Sequence, residues 1–465
     1  MLQGGAGPSV RAVTATRTVR AVARERGECP ASIRRMSLSQ HPTAGASSTA
    51  RENPIRVRIL ECGMPLLVEE MAGVRTAALS WLMPAGNASD PDGDRGDGWS
   101  SLHAELCQRG AGGRDSRAFS DALDRAGVQR AVTPAAVHIV AGGTFIGARV
   151  AEVLPLFADL VVRPHLPAEA LDAVRSLAIQ SLESLQDDPQ HRVSLRLRER
   201  HLPPPFNRSG YGNKAAFERA DIAALREDWM RRVRPEGSIL SIAGAVDADE
   251  VAATLDRLLA GWHGKAEDVG ATGPSLGGSL HEDDESNQTH IAIGLHAPSE
   301  REPESLLCRM ATNVLGGETS SRLFSEVREK RGLCYSVNAG YAGGRDRGMV
   351  ALYAGSTPER AQETLDTMLA ELQRFEHGVD QGEFRRTVIG MKSRLVMQGE
   401  STAARAAALG SDWYRLGRCR SLGELSAEVD AVTLDALNDW IAHAMGADWR
   451  KAITVCTVGK SALKV

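Results

Sequence analysis

The sequence predicts an α+β protein made of two homologous copies of one unit. Strand-like and helix-like segments are mixed along the chain without strict alternation, and their order begins again after the midpoint. A stretch poor in large apolar residues separates the two copies.

From Ile55 the first copy shows VRILECGMPLLVEE and then VRTAALSWLMPAG, which read as two strands joined by a Gly-bearing turn. Helical patterns follow over 98–109 and 116–126, strands near 129–133 and 137–143, a helix over 146–162, and a long helix over 167–187. The copy closes on GSILSIAGAVDADEVAATLDRLLAGWHG, a buried strand, a Gly turn, and a helix capped by Asp247 and ended near Gly264. Residues 265–287, KAEDVGATGPSLGGSLHEDDESN, are rich in Gly, Ser and acid and are expected to be a flexible linker. The second copy, 288–465, runs strand THIAIGLHAP, helix ESLLCRMATNVLGG, strands YSVNAGYAG and GMVALYAGS, helices over 358–376 and 381–397, and a last strand AITVCTVG. The first copy therefore occupies 53–264.

Residues 1–52 form an Arg-rich extension expected to be disordered. Over the first fifty, Arg11, Arg17, Arg20, Arg24, Arg26, Arg34 and Arg35 stand against only Glu25 and Glu28. On a helix, Arg17, Arg20 and Arg24 share a face opposite Val19 and Val22, the construction of a mitochondrial presequence; no apolar segment of a secretory signal follows. Lysine occurs only seven times among 55 basic residues, so arginine bias is general, and a start at Met36 accounts for the extension equally well.

With 465 residues, 42% hydrophobic and 25% charged, the chain is long enough for two cores, and its net charge of −4 offers no basic field for nucleic acid. Its apolar runs are interrupted by charge, as at Arg149, Glu152 and Asp159, and none suits a membrane span. Cys29, Cys62, Cys107, Cys308, Cys334, Cys419 and Cys456 are odd in number and form no C-x-x-C pair, which points to a reducing compartment. A soluble protein is expected, cytoplasmic in preference to periplasmic, or a mitochondrial matrix one if the extension is a transit peptide.

The most specific string is GGETSSRLFSEVREKRGLCYSV at 316–337. It lacks the Lys and Ser/Thr of a phosphate loop. It resembles the second-half signature of the pitrilysin/insulinase metallopeptidases, in the branch of mitochondrial processing peptidase, and the resemblance extends over about 54–460. It implies two homologous α/β two-layer halves, each a mixed sheet with helices on one face, joined by a linker.

Active members carry H-x-x-E-H on a first-half helix, where two His hold zinc and the Glu activates water, with a Glu ligand about 76 residues further on. Gly98, Gly110, Arg114 and AFSDALDRAG at 118–127 set the register. In that register the His, Glu and His positions hold Ser101, Ala104 and Glu105, and the distal ligand position holds Ser181 in the SLAIQSLESLQDDP helix. One carboxylate does not hold zinc. His103 and Cys107, four apart on the same helix, could make a displaced site, but they stand two residues out of register and face away; a partly buried structural His and a buried thiol are the alternative. Glu183 is likewise out of phase, as a solvated helix residue would be.

The resemblance also implies a substrate-binding role for Arg328 and Tyr335, seven apart, which in related enzymes reach across the enclosed chamber towards the substrate. A guanidinium and a phenol can both donate to a peptide carbonyl gaining negative charge. The alternative is a strand tyrosine, and an arginine on a charged helix face with Glu326 and Glu329. A lost zinc half beside a retained Arg/Tyr half implies a non-catalytic subunit without a cofactor of its own. Its partner would be a homologous zinc-bearing subunit or a second copy, its substrate a peptide added to a sheet edge as a strand, with the glycine-rich 316–319 turn as a mobile wall. A working zinc endopeptidase with a displaced site and a purely structural scaffold are the competing readings.

Overall fold

The computed structural model describes residues 53–446 and 449–465. The Arg-rich extension, with its presequence-like arginines and Cys29, lies outside them.

The first apolar segment is a hairpin and not a single strand: β1 (Ile55–Ile59) and β2 (Pro65–Glu70) pair antiparallel. The turn between them closes through Leu60 N–H donating to Met64 O at 2.9 Å, with Gly63 at φ +91°, a conformation open to glycine. β3 (Thr76–Met83) follows, then α1 (Trp99–Leu106), a short hairpin of β4 (Gly110–Ala111) and β5 (Arg114–Asp115), α2 (Ser116–Arg125), β6 (Gln129–Pro134), β7 (Ile139–Ile146), α3 (Val150–Val162), α4 (Leu171–Ser184), α5 (Pro189–His201), α6 (Lys214–Arg219), α7 (Ile222–Arg232), β8 (Ile239–Gly244) and α8 (Ala248–Leu258). The first sheet has the order β1-β2-β8-β3-β7-β6, parallel only between β2 and β8.

β9 (Gly278–Asp283), β10 (Thr289–Ala297), α9 (Ser305–Gly316), β11 (Cys334–Gly343), β12 (Gly348–Ser356), α10 (Ala361–Phe375), α11 (Gln381–Gly399), α12 (Thr402–Leu416), α13 (Leu422–Ala431), α14 (Leu434–Ala444), α15 (Trp449–Ala452) and β13 (Thr454–Gly459) complete the chain. They include the second sheet, ordered β11-β12-β10-β13-β9 and parallel only between β13 and β9.

The central strands β3 and β8 read as continuous apolar runs because both of their faces are covered, whereas the edge strand β6 alternates. One face of the first sheet carries Leu66, Val68, Leu79, Trp81 and Ile242 against the helices of its own half. The opposite face receives α12 from the other half: Leu409 packs on Leu67, Leu82 and Ile239, and Ala406 on Ala78 and Ala243. The approach is close enough that Ser241 Oγ donates to Ala406 O at 2.7 Å, and a Cβ on Gly410 would stand 2.9 Å from the same Oγ.

The exchange is reciprocal. α5 of the first half lies on the second sheet, with Val193 and Leu197 against Ala292, Tyr353, Cys456 and Val458, and His201 Nδ1 is 2.9 Å from Thr454 Oγ1. Helices on one face of each sheet are thus joined by a borrowed helix on the other.

The segment expected as a free linker is tied down. Its part 278–283 is β9, and Arg192 and Arg196 of α5 hold Glu282, with Arg192 also 2.6 Å from Asp284. Two of the acidic residues that suggested solvated chain, Glu282 and Asp284, are ion-pair partners of an arginine-rich helix.

Candidate functional site

Helix α1 begins at Gly98, which sits at φ +101°. Its first turn is capped from outside the helix: the Asp90 carboxylate accepts from Gly98 N–H and Ser100 N–H at 3.0 Å each and from Ser100 Oγ at 2.9 Å. Arg232, 3.0 Å from Asp90 and 2.6 Å from Asp228, completes a buried network. Burial pushes the Asp90 carboxyl up to about 6 against the pull of Arg232 and these hydrogen bonds.

His103 belongs to this network. Arg232 has only donors, so its contact with His103 Nδ1 at 3.0 Å makes that nitrogen an acceptor and leaves Nε2–H to donate to Leu225 O at 3.0 Å. The ring is fully buried, packed edge-on against Trp229, and burial together with Arg232 lowers its pKa to about 4. Neither nitrogen has a lone pair free for a metal. The side chain is buried outright, not partly as the sequence suggested. Cys107 is also fully buried, its thiol held well above the usual range by desolvation.

The four positions expected in place of a zinc set lie on α1 and α4, which pack together. Ser101 Oγ donates to Gly210 O at 3.3 Å, in the loop that runs over the start of α1. Ala104 is in the core, Glu105 is exposed with Arg109 3.6 Å away, and the exposed Ser181 donates back to Leu177 O at 2.9 Å. Glu183 is exposed with Lys214 3.5 Å away. These side chains do not make a zinc ligand set, and among the described residues no group of three or more His, Cys, Asp or Glu could hold a metal ion. Beside them opens a polar cavity of about 460 Å³, walled by Asp97, Leu182, Arg196, Arg208 and Gly212 among others. Burial raises the Asp97 carboxyl there, with Arg208 acting against it.

In the second half the structure brings Arg328 and Tyr335 together. Residues Phe324–Lys330 form a π-helix, a rare geometry that recurs at functional sites. It ends where Gly332, at φ +60°, donates to Arg328 O at 3.0 Å and turns the chain into β11. The β11–β12 register shifts between Cys334 and Ser336, and Tyr335 at that bulge is 80% exposed. The exposed Arg328 guanidinium carbon stands 5.8 Å from the Tyr335 ring centroid and 4.7 Å from that of Phe324. The face shared with Glu326 and Glu329 does not organise it, since Glu326 is bound by Lys330.

Residues 219–391 match the family model described as peptidase M16 inactive domain. An uncharacterized zinc protease of Mycobacterium tuberculosis is 25% identical over 402 residues, 84% of this chain and 91% of its own length. The uncharacterized zinc protease YmxG of Bacillus subtilis is 23% identical over 401 residues, 84% and 96% of the two chains. Among solved structures, a peptidase M16 inactive domain from Pseudomonas fluorescens superposes with a TM-score of 0.80 at 19% identity, over 88% of this chain and 99% of that one. A chain of complex III2 from Candida albicans gives 0.74 at 16% identity, over 88% and 96%.

The chain is similar to M16, pitrilysin/insulinase-like peptidases over most of its length and has their fold. Within the M16 fold, two features escaped sequence reasoning. The Asp90–Arg232–Asp228–His103 network has one local link, Asp228 to Arg232 four positions on, while its links from Arg232 to Asp90 and His103 span more than a hundred positions. Phe324 was legible in principle, because an aromatic residue four positions before an arginine on a helical segment places ring under guanidinium. No helix among the described residues is long and apolar enough to cross a membrane.

Proposed function

We propose that this chain is a non-catalytic subunit of an M16 peptidase complex, supplying Arg328 and Tyr335 to a chamber whose zinc is held by a homologous partner. The observation that carries this is the contrast between the two halves. Where a zinc set is expected, Ser101 and Ser181 spend their hydroxyls on backbone carbonyls, Ala104 has no donor, and Glu105 stands alone. In the other half Arg328 and Tyr335 are exposed, adjacent and oriented by a π-helix and a bulge.

A guanidinium and a phenol so placed would bind and orient an extended peptide and donate to its carbonyl as negative charge develops. The zinc in the partner would supply the activated water; nothing on this chain is asked to do so. A displaced zinc site built on His103 and Cys107 is disfavoured by the engagement of both His103 nitrogens and the deep burial of the thiol. A pure scaffold would have no use for the exposed pair.

The test is to isolate the native complex through a tag on this chain, identify the co-purifying chain, and measure zinc and peptide cleavage for each separately and together. Zinc with the partner and cleavage only by the pair is the expected result; a zinc-loaded, active chain in isolation overturns it.

A further inference from the structure

Arg328 is an exposed cation that no carboxylate among the described residues answers. Among the described residues it enters no ion pair, while its neighbour Glu326 is taken by Lys330. Its guanidinium rests instead on two rings, closest to Phe324. The two rings differ in anchorage. Phe324 is half-buried and packed on the second-half core, whereas Tyr335 is held out from its strand by a bulge.

We propose that Phe324 is a positioning residue, a fixed aromatic shelf that holds the Arg328 guanidinium in place while leaving its N–H donors unspent. This rests on the proposed role of Arg328. An aromatic face attracts a cation through its quadrupole without accepting its in-plane hydrogen bonds, whereas a carboxylate would occupy two of them. A long side chain left to solvent would have to be ordered anew each time substrate bound. On the shelf it is ordered beforehand, and the fork can meet a peptide carbonyl or carboxylate bidentately. Phe324 and Arg328, four positions apart, share one face of the π-helix as the chain approaches Gly332.

Two measurements test the shelf. In the full chain labelled with ¹³C,¹⁵N-arginine, the Arg328 Nε–Hε signal, assigned by its loss in Arg328→Lys, is expected to be shifted upfield by ring current. Phe324→Leu should return it to the position of a solvated arginine, and Phe324→Tyr should keep it shifted, both at an unchanged thermal midpoint. A signal already at the solvated position in the native chain, or one that Phe324→Leu does not move, overturns the shelf.

In the reconstituted complex with its zinc-bearing partner, acting on a quenched fluorogenic peptide, Phe324→Leu should lower kcat/KM about fivefold, with recovery in Phe324→Tyr. Arg328→Ala is measured alongside. If Arg328→Ala lowers turnover and Phe324→Leu does not, the positioning role alone fails. If Arg328→Ala is silent while the ring-current shift is present, the shelf stands as geometry and the substrate role of Arg328 fails.

Discussion

Arg405 of α12 meets Glu69 of β2 across 336 residues of sequence, Nε 2.7 Å from Oε2, with both side chains almost fully excluded from solvent. The pair sits where the second half's helix crosses the first half's sheet. It fixes the orientation of the exchange more than its depth, because buried ion pairs contribute little net stability while leaving either partner alone is costly.

Arg405→Met or Glu69→Leu alone is therefore expected to destabilise the chain by about 3–5 kcal/mol, and the double variant to recover most of the loss. Urea unfolding monitored by tryptophan fluorescence measures all three. Additive losses in the double variant would show that the two residues act separately.

Purified alone, the chain is expected to hold well under one zinc per molecule and to leave peptides uncut. Ser101→His, Ala104→Glu, Glu105→His and Ser181→Glu introduced together should create zinc affinity, provided α1 and α4 present those positions in the register assigned from the sequence. The loop carbonyl of Gly210 that now accepts from Ser101 would have to give way. Elemental analysis of parent and quadruple variant decides; a folded variant with no gain in zinc means that the assigned register is wrong.

Arg328→Ala and Tyr335→Phe should leave folding and assembly intact and lower turnover of the complex roughly 10²-fold, the scale of a removed transition-state donor. Arg328→Lys keeps the charge but loses the planar fork, so it should restore only part of the activity. Steady-state kinetics of the reconstituted pair are the readout, and silence of both substitutions would leave a structural subunit.

The buried His103 makes a pH prediction. Its folded-state pKa lies near 4 against 6.5 for an ordinary histidine, so the unfolded chain binds the proton more readily. Its contribution is full above about 6.5 and is lost as pH falls towards 4, by on the order of 3 kcal/mol. The raised carboxyl of Asp90 acts in the opposite sense over the same acid range, but it is present in both chains of a comparison with His103→Gln. The stability difference between wild type and His103→Gln, followed by thermal unfolding from pH 7 to pH 4.5, should move against the wild type as pH falls. A difference that stays level over that interval would mean that His103 is not the neutral, buried ring described.

Much of this protein is written locally. Continuous apolar runs such as TAALSWLM and ILSIAG mark strands covered on both faces, and the motif at 316–337 places Arg328 and Tyr335 where the chain turns from helix to strand. Such signals survive because they depend on neighbours within a few residues: side-chain period, a capping carboxylate such as Asp247, a glycine at positive φ such as Gly332.

What only the tertiary structure decided are the features whose partners are distant. α5 and α12 gave weak signals, since α5 buries a narrow strip of Val193, Leu197 and His201 amid arginines and the first half of α12 is mostly alanine. Their places follow from where they land: α12 is small-faced because it must lie close on Ser241, 165 residues away, and α5 is basic because Glu282 and Asp284 wait beside the second sheet. The acidic segment 278–283 became a strand for the same reason, and His103 became a buried link between Arg232 and Leu225. Sequence period records which side of an element is buried. It does not record what buries it, because that depends on contacts formed only once both sheets exist.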